Sequence, residues 1–267
     1  MIVVTGATGN VGRTLVRLLT EDQVEVTSVA RNIDGPGTVA ADLAEPESLR
    51  GAFEGADALF LLAAGERPYD VLDVAKAAGV RRVVLVSSQG AGTRPEVYAL
   101  ARQFEAAVRE SGLDWTILRP GGLDSNAYAW AESIRARREA AAPFGDVGLP
   151  FVDPDDVAAV AATVLREETH TGATYTLTGP ASTTPRARAA AIAAALGEPV
   201  TFTEQSRAEA HELMARFMPL PVVEGTLAIL GEPTEEERRV SPDVERVLGR
   251  APGTFGAWAE RNAAAFR

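Results

Sequence analysis

Residues 2–4 form a short β-branched run, and Val11, Leu15, Leu18 and Leu19 then recur at helical spacing. That pattern predicts a buried strand followed by a helix to about Thr20. Residues 24–30 predict a second strand and 39–41 a short third. Residues 45–53 read as a helix, with Pro46 where a first turn tolerates it. Residues 58–63 are apolar on both faces, as a strand inside a parallel sheet must be. A helix over 69–78 stops at Gly79, and 82–86 repeat the doubly buried pattern up to Ser87 and Ser88. An amphipathic helix over 96–111 is closed by Gly112, with a strand over 115–118 behind it. Strand and helix alternate without a hairpin signal, which predicts an α/β protein with a parallel, doubly wound sheet.

After Arg119 and Pro120 the regularity weakens. Residues 126–142 read as a helix of mixed polarity, 155–166 as a clear helix opened by Asp153 and Pro154, and 175–178 as a last short strand. Helices are predicted over 184–196, 207–217, 241–248 and 254–266, with a short strand near 200–203. The charge run 235–239 reads as a solvated helix start. This layout divides the chain into a sheet domain, 1–123 completed by 149–178, and a smaller, mainly helical capping region, 124–148 with 179–267.

Composition narrows the chemistry. The 267 residues include no cysteine, which removes disulfides, thiolate nucleophiles and every cysteine-containing metal site. His170 and His211 lie far apart, so no metal is expected. Apolar runs such as 157–165 fall short of the ~20 residues a bilayer span needs. The chain opens on a strand pattern with no basic segment before it, so a cytoplasmic setting is expected. Lys+Arg 26 against Asp+Glu 37 gives a net charge of −11, which repels phosphate backbones. The expected partner is a small-molecule substrate, with no nucleic acid and no membrane, and the chain is expected to act as a monomer or homodimer. An anionic ligand would need a local arrangement of amides or a placed arginine.

Such an arrangement stands near the start. Gly6, Gly9 and Gly12, with Thr8, Asn10 and Val11 between them, separate the first strand from the first helix. A tight turn needs positive φ, a bare backbone lets a pyrophosphate approach the amides, and a third glycine permits close helix–sheet packing. The helix N-terminus adds unpaired N–H groups and a positive dipole end. The plainer alternative is a structural turn without a ligand. At the end of the second strand, where binders of NAD usually carry a carboxylate, the sequence has Arg31 and Asn32. Arg31 offers a ribose 2′-phosphate two parallel N–H bonds, which points to NADP(H) with NAD(H) as the lesser possibility; otherwise it is a solvated surface arginine. Asp42 and Leu43, after the third strand, would fall beside the adenine, although Asp42 also suits a helix N-terminus.

These motifs carry a family resemblance. The stretches 5–12, 29–32, 41–43, 84–88, 111–121, 151–160 and 175–180, in that order, resemble NmrA-like proteins, an atypical branch of the extended short-chain dehydrogenase/reductase superfamily. The resemblance covers residues 1–180; the rest is similar in layout only. It implies a Rossmann core binding NAD(P)H along the carboxyl ends of the strands. Leu61, Leu62, Ala63 and Ser87 would then line the cofactor, and Pro120 with Gly121 would flank the nicotinamide. Asn126 and the helix after it, with Tyr128 and Trp130, would border the substrate, though the two aromatic residues could equally pack the appendage.

One departure matters. Dehydrogenases of this superfamily use a tyrosine acid and a lysine four residues later, on the helix after the Ser-Ser strand. Counting back from Glu105 and Ser111-Gly112, those positions are Val97 and Ala101. Tyr98 and Arg102 stand one residue along, rotated by about 100° of helix, and read as a surface or edge pair. No catalytic residue is therefore assigned. The leading expectation is an NADPH-dependent oxidoreductase passing hydride to a small apolar quinone or carbonyl. The alternative is a non-catalytic NADP(H)-binding redox sensor. A sugar-nucleotide epimerase comes third, because it needs the missing tyrosine.

Overall fold

The structure, a computed structural model, describes residues 1–267. Elements β1 (Ile2–Thr5), α1 (Asn10–Glu21), β2 (Val26–Ala30), β3 (Thr38–Ala40), α2 (Arg50–Phe53), β4 (Ala58–Leu62), α3 (Pro68–Ala77), β5 (Arg82–Val86), α4 (Gly90–Thr93), α5 (Ala99–Glu110) and β6 (Asp114–Pro120) follow one another. Then come α6 (Ala131–Arg137), β7 (Glu139–Pro143), α7 (Pro154–Arg166), β8 (Ala173–Leu177), α8 (Pro185–Leu196) and β9 (Thr201–Gln205). The chain ends with α9 (Arg207–Met214), α10 (Leu220–Gly231), α11 (Glu235–Arg238), α12 (Asp243–Leu248) and α13 (Phe255–Arg261). No helix is long and apolar enough to cross a membrane.

The chain forms two compact units. The first comprises Met1–Pro120, Pro154–Leu177 and Arg246–Gly249; the second comprises Gly121–Asp153, Thr178–Glu245 and Arg250–Arg267.

In the first unit seven strands make one sheet in the order β3-β2-β1-β4-β5-β6-β8, every neighbouring pair parallel. This is the Rossmann-type doubly wound sheet that the alternation predicts. Strand order reverses between β1 and β4, the place where such sheets bind ligands at their carboxyl ends. Val3, Leu59, Leu61, Val83, Leu85 and Ile117 supply the sheet's side of one core, and Phe53, Leu72 and Phe104 pack on them from the helices. On the other face α1 packs against α7, where Thr14 Oγ1 donates to Asp155 Oδ1 at 2.7 Å.

The second unit has a two-stranded parallel sheet, β7 with β9. Trp130, Ile134, Ile192, Phe255, Trp258 and Phe266 form its main core. A smaller cluster joins Ala210, Val223 and Leu227 to Phe144, Met214 and Met218, whereas Phe217 is 70% exposed.

Four expectations need correction. The helix predicted over 126–142 stops at Arg137: Arg138 takes φ +53° and turns the chain into β7, where pairing with β9 outweighs the helix preference of three alanines. The helix predicted from residue 96 begins at Ala99, after the separate short turn of α4. α10 has no counterpart in the pattern, because its apolar residues surround the helix instead of forming a stripe. The charge run over 235–239 is not wholly solvated: Glu237 is buried and its carboxylate accepts the Thr234 N–H as half of a capping box.

Candidate dinucleotide site

The turn after β1 is built by its glycines. Gly6 has φ +64°, and a Cβ there would stand 2.2 Å from Leu62 Cδ1. A Cβ on Gly12 would stand 2.2 Å from the Gly6 carbonyl oxygen, so α1 packs directly on the turn. Gly9 is different. It caps α1 with φ −78°, its N–H donates to Gly6 O at 2.9 Å, and a Cβ would lie at a tight but adjustable 3.2 Å. Thr8, Gly9 and Asn10 are exposed and Val11 half-buried. No side chain caps the N-terminus of α1 and no carboxylate sits in its first turn, which leaves those amides to an anion. Two further ties hold the turn. Thr5 Oγ1 donates to Phe60 O at 2.9 Å and accepts the Leu62 N–H at 3.1 Å, and Arg13 Nη2 donates to Thr8 O at 2.9 Å.

Arg31 is exposed immediately after β2. Asp42 orders its own loop, Oδ1 accepting the Ala44 N–H at 3.0 Å while Ser48 Oγ accepts the Asp42 N–H at 3.1 Å. Leu43 is half-buried, and its carbonyl lies 2.6 Å from where a Cβ on Gly65 would stand. Leu61 is fully buried in the core and presents no surface to a ligand; Leu62 and Ala63 are half-buried.

At the ends of β5 and β6 the structure holds a group that the sequence pattern did not single out. Glu105 on α5 is 2% exposed, and its carboxylate accepts from Ser87 Oγ at 2.7 Å. It also accepts from Arg119 Nε at 2.8 Å and Nη2 at 2.7 Å, and from Arg109 Nη2 at 3.1 Å. Burial pushes this carboxyl upward, but the hydrogen bonds and charge of Arg119, with the Ser87 hydroxyl, hold it below the usual carboxylate range. The strand ends are also stitched: the Ser87 N–H donates to Leu118 O and the Gln89 N–H to Pro120 O. Pro120 is buried and Gly121 half-buried. Tyr98 precedes α5, with its ring against Gly90, where a Cβ would stand 2.3 Å from the ring; Arg102 is exposed.

Within the second unit, Asn126 is exposed. The Tyr128 hydroxyl donates to Asn262 Oδ1 at 2.5 Å, and its ring lies 5.2 Å from that of Trp258. Trp130 Nε1 donates to Ala141 O at 2.8 Å and the ring is buried. Both aromatic residues thus pack the core of this unit. Asp153 is buried, and its carboxylate accepts from Arg261.

A parallel sheet whose glycine turn opens a helix beside the strand reversal, with an arginine directly after β2, defines a Rossmann-type dinucleotide-binding protein. The chain belongs to the family described as NAD(P)H-binding, which matches residues 6–168. Its fold is also that of a solved structure of NmrA, a negative transcriptional regulator, with a TM-score of 0.73 at 20% identity over 97% of this chain and 94% of that one. Over its full length the chain is 36% identical to a (4-alkanoyl-5-oxo-2,5-dihydrofuran-3-yl)methyl phosphate reductase of Streptomyces griseus, covering 99% of that protein. It is 31% identical to an NAD(P)H azoreductase of Xenophilus azovorans, covering 100% of this chain and 99% of the relative. A solved structure of an NADPH-dependent quinone oxidoreductase from Escherichia coli, complexed with NADPH, has the same fold, with a TM-score of 0.80 at 24% identity over 98% of this chain and 99% of that one.

Proposed function

We propose that this NAD(P)H-dependent oxidoreductase passes hydride from NADPH to a small, flat, conjugated acceptor of the quinone or carbonyl kind. The observation that carries the reading is the glycine turn, where Gly6 is required by its positive φ and the Leu62 side chain and Gly12 by contact with the Gly6 backbone, while Thr8, Gly9 and Asn10 stay exposed. The amides of Asn10, Val11 and Gly12 would hold the pyrophosphate, and Arg31 the 2′-phosphate that distinguishes NADPH. Leu62, Ala63, Pro120 and Gly121 would border the nicotinamide. When bound, the cofactor supplies the hydride.

The rest of the reading comes from what the chain does not offer a substrate. Ser87 gives its hydroxyl to Glu105, and Val97 and Ala101 occupy the acid and lysine positions of the superfamily. A ketone needs a proton delivered as hydride arrives; a quinone or an extended conjugated acceptor places the charge on a stabilised oxygen or nitrogen, and water suffices. Full-length relatives that reduce a furanone phosphate and azo compounds support this class of acceptor. A cytoplasmic setting belongs to the same reading, since that is where NADPH is regenerated.

Steady-state loss of reduced-nicotinamide absorbance with a panel of quinones and conjugated carbonyls tests it. Turnover of at least one flat acceptor, faster with NADPH than NADH, is expected. Tight NADPH binding with no acceptor turned over would make the chain a redox sensor instead.

A further inference from the structure

Ser87, the first residue after β5, gives its hydroxyl proton to Glu105, and no group of the protein donates to its oxygen in return. A hydroxyl has one proton and two lone pairs. With the proton committed, Ser87 Oγ can only accept. It is half-buried at the carboxyl end of the sheet, where the reading above places the nicotinamide.

The group that commits the proton is itself held on both edges. Glu105 Oε1 accepts from Ser87 Oγ and Arg119 Nε, and Oε2 from Arg119 Nη2 and Arg109 Nη2. Arg119 is in turn confined by α4, where a Cβ on Gly92 would stand 2.7 Å from its Nη1. The carboxylate therefore cannot turn away from Ser87. A buried ion pair adds little net stability over apolar packing of the same shape. What this one determines is the direction of each donor that it accepts. All four residues belong to the first unit.

We propose that Glu105 is a positioning residue of the cofactor site: by taking the Ser87 proton it makes that hydroxyl an acceptor for the carboxamide N–H of the nicotinamide ring. The carboxamide is the hydrogen-bond donor of the ring, and holding it sets which way the ring is turned before hydride leaves. The inference rests on the NADPH reading and deepens it, because it assigns Ser87 and Glu105 to the cofactor and leaves the acceptor to other groups.

Calorimetric titration of the full chain with NADP+ and with its 3-acetylpyridine analogue, in which a methyl replaces the carboxamide NH2, tests this without turnover. The wild type should bind NADP+ about fivefold tighter, the effect of one hydrogen bond. Ser87→Ala should bring that ratio close to one, and Ser87→Thr, which keeps the hydroxyl, should retain it. Glu105→Gln leaves a single accepting oxygen, for which the charged donors of Arg119 and Arg109 compete better than a neutral hydroxyl. The amide NH2 then turns to Ser87, and the ratio should again approach one. A Glu105 that only held the fold would weaken both dinucleotides alike and leave the ratio unchanged. An unchanged ratio in Ser87→Ala or in Glu105→Gln overturns the proposal. So does a wild type that does not distinguish the two dinucleotides; if it still reduces quinones, the reductase reading stands without the proposal. If Glu105→Gln does not fold, Ser87→Ala against Ser87→Thr decides. Should the wild type prefer NADP+ through Ser87 and Glu105 yet reduce no acceptor, the reductase reading falls and the positioning role stands.

Discussion

At Arg31 an exposed guanidinium follows β2 where NAD-binding chains carry a carboxylate. Fluorescence titration should show NADPH binding at least several-fold tighter than NADH, and Arg31→Ala should collapse that preference. Equal affinities in the wild type would make Arg31 a bystander. The glycines of the turn separate structure from binding in a way that spacing alone does not. Gly9→Val has only a 3.2 Å contact to relieve, so the variant should keep wild-type circular dichroism while losing dinucleotide affinity. Gly12→Val would drive a side chain into the Gly6 carbonyl and should damage the fold itself. Tyr98 supports Gly90 with its ring, a contact that phenylalanine preserves. Tyr98→Phe should therefore leave quinone turnover within about threefold, whereas loss of a general acid would cost about 10²–10⁴-fold.

At the scale of elements, Glu105 joins α5 to the ends of β5 and β6 through Ser87 and Arg119. Glu105→Gln removes the charge that pairs with the partly exposed Arg119 and Arg109 and should cost about 1–3 kcal/mol in urea unfolding. Because the folded-state carboxyl titrates below its unfolded value, its contribution is fully present above the unfolded pKa. It disappears as pH falls through the folded one. Stability of the wild type should thus drop on the acid side, below about pH 4, and Glu105→Gln should flatten that limb. The sheet was legible from sequence because doubly buried strands leave unbroken apolar runs such as 58–62 and 83–86. The Glu105 cluster was not. A glutamate within an amphipathic helix reads as solvated, and its partner Arg119 is brought to it only by the closing of β6 onto β5. Alanines 140–142 were misread for a related reason, since their strand exists only through pairing with β9. Among the candidate site residues, the glycine turn was fully visible because its geometry is local.

At the scale of the whole molecule, the first unit is not one stretch of chain. Its sheet closes with β8, which pairs with β6 only after the chain has passed through residues 121–153 of the second unit and through α7. A chain ending at Pro120 would lack both the strand that covers β6 and the helix that covers α1. It should elute from size exclusion as aggregate and unfold without a cooperative transition. Synthesis on a ribosome meets the same difficulty in time. The first six strands emerge with an open, apolar β6 margin, and the strand that seals it is made tens of residues later, a delay of several seconds at about 5–20 residues per second. During that interval the nascent chain is a template for wrong pairing, and cells that translate it quickly or bind that margin with a chaperone will recover more of the enzyme.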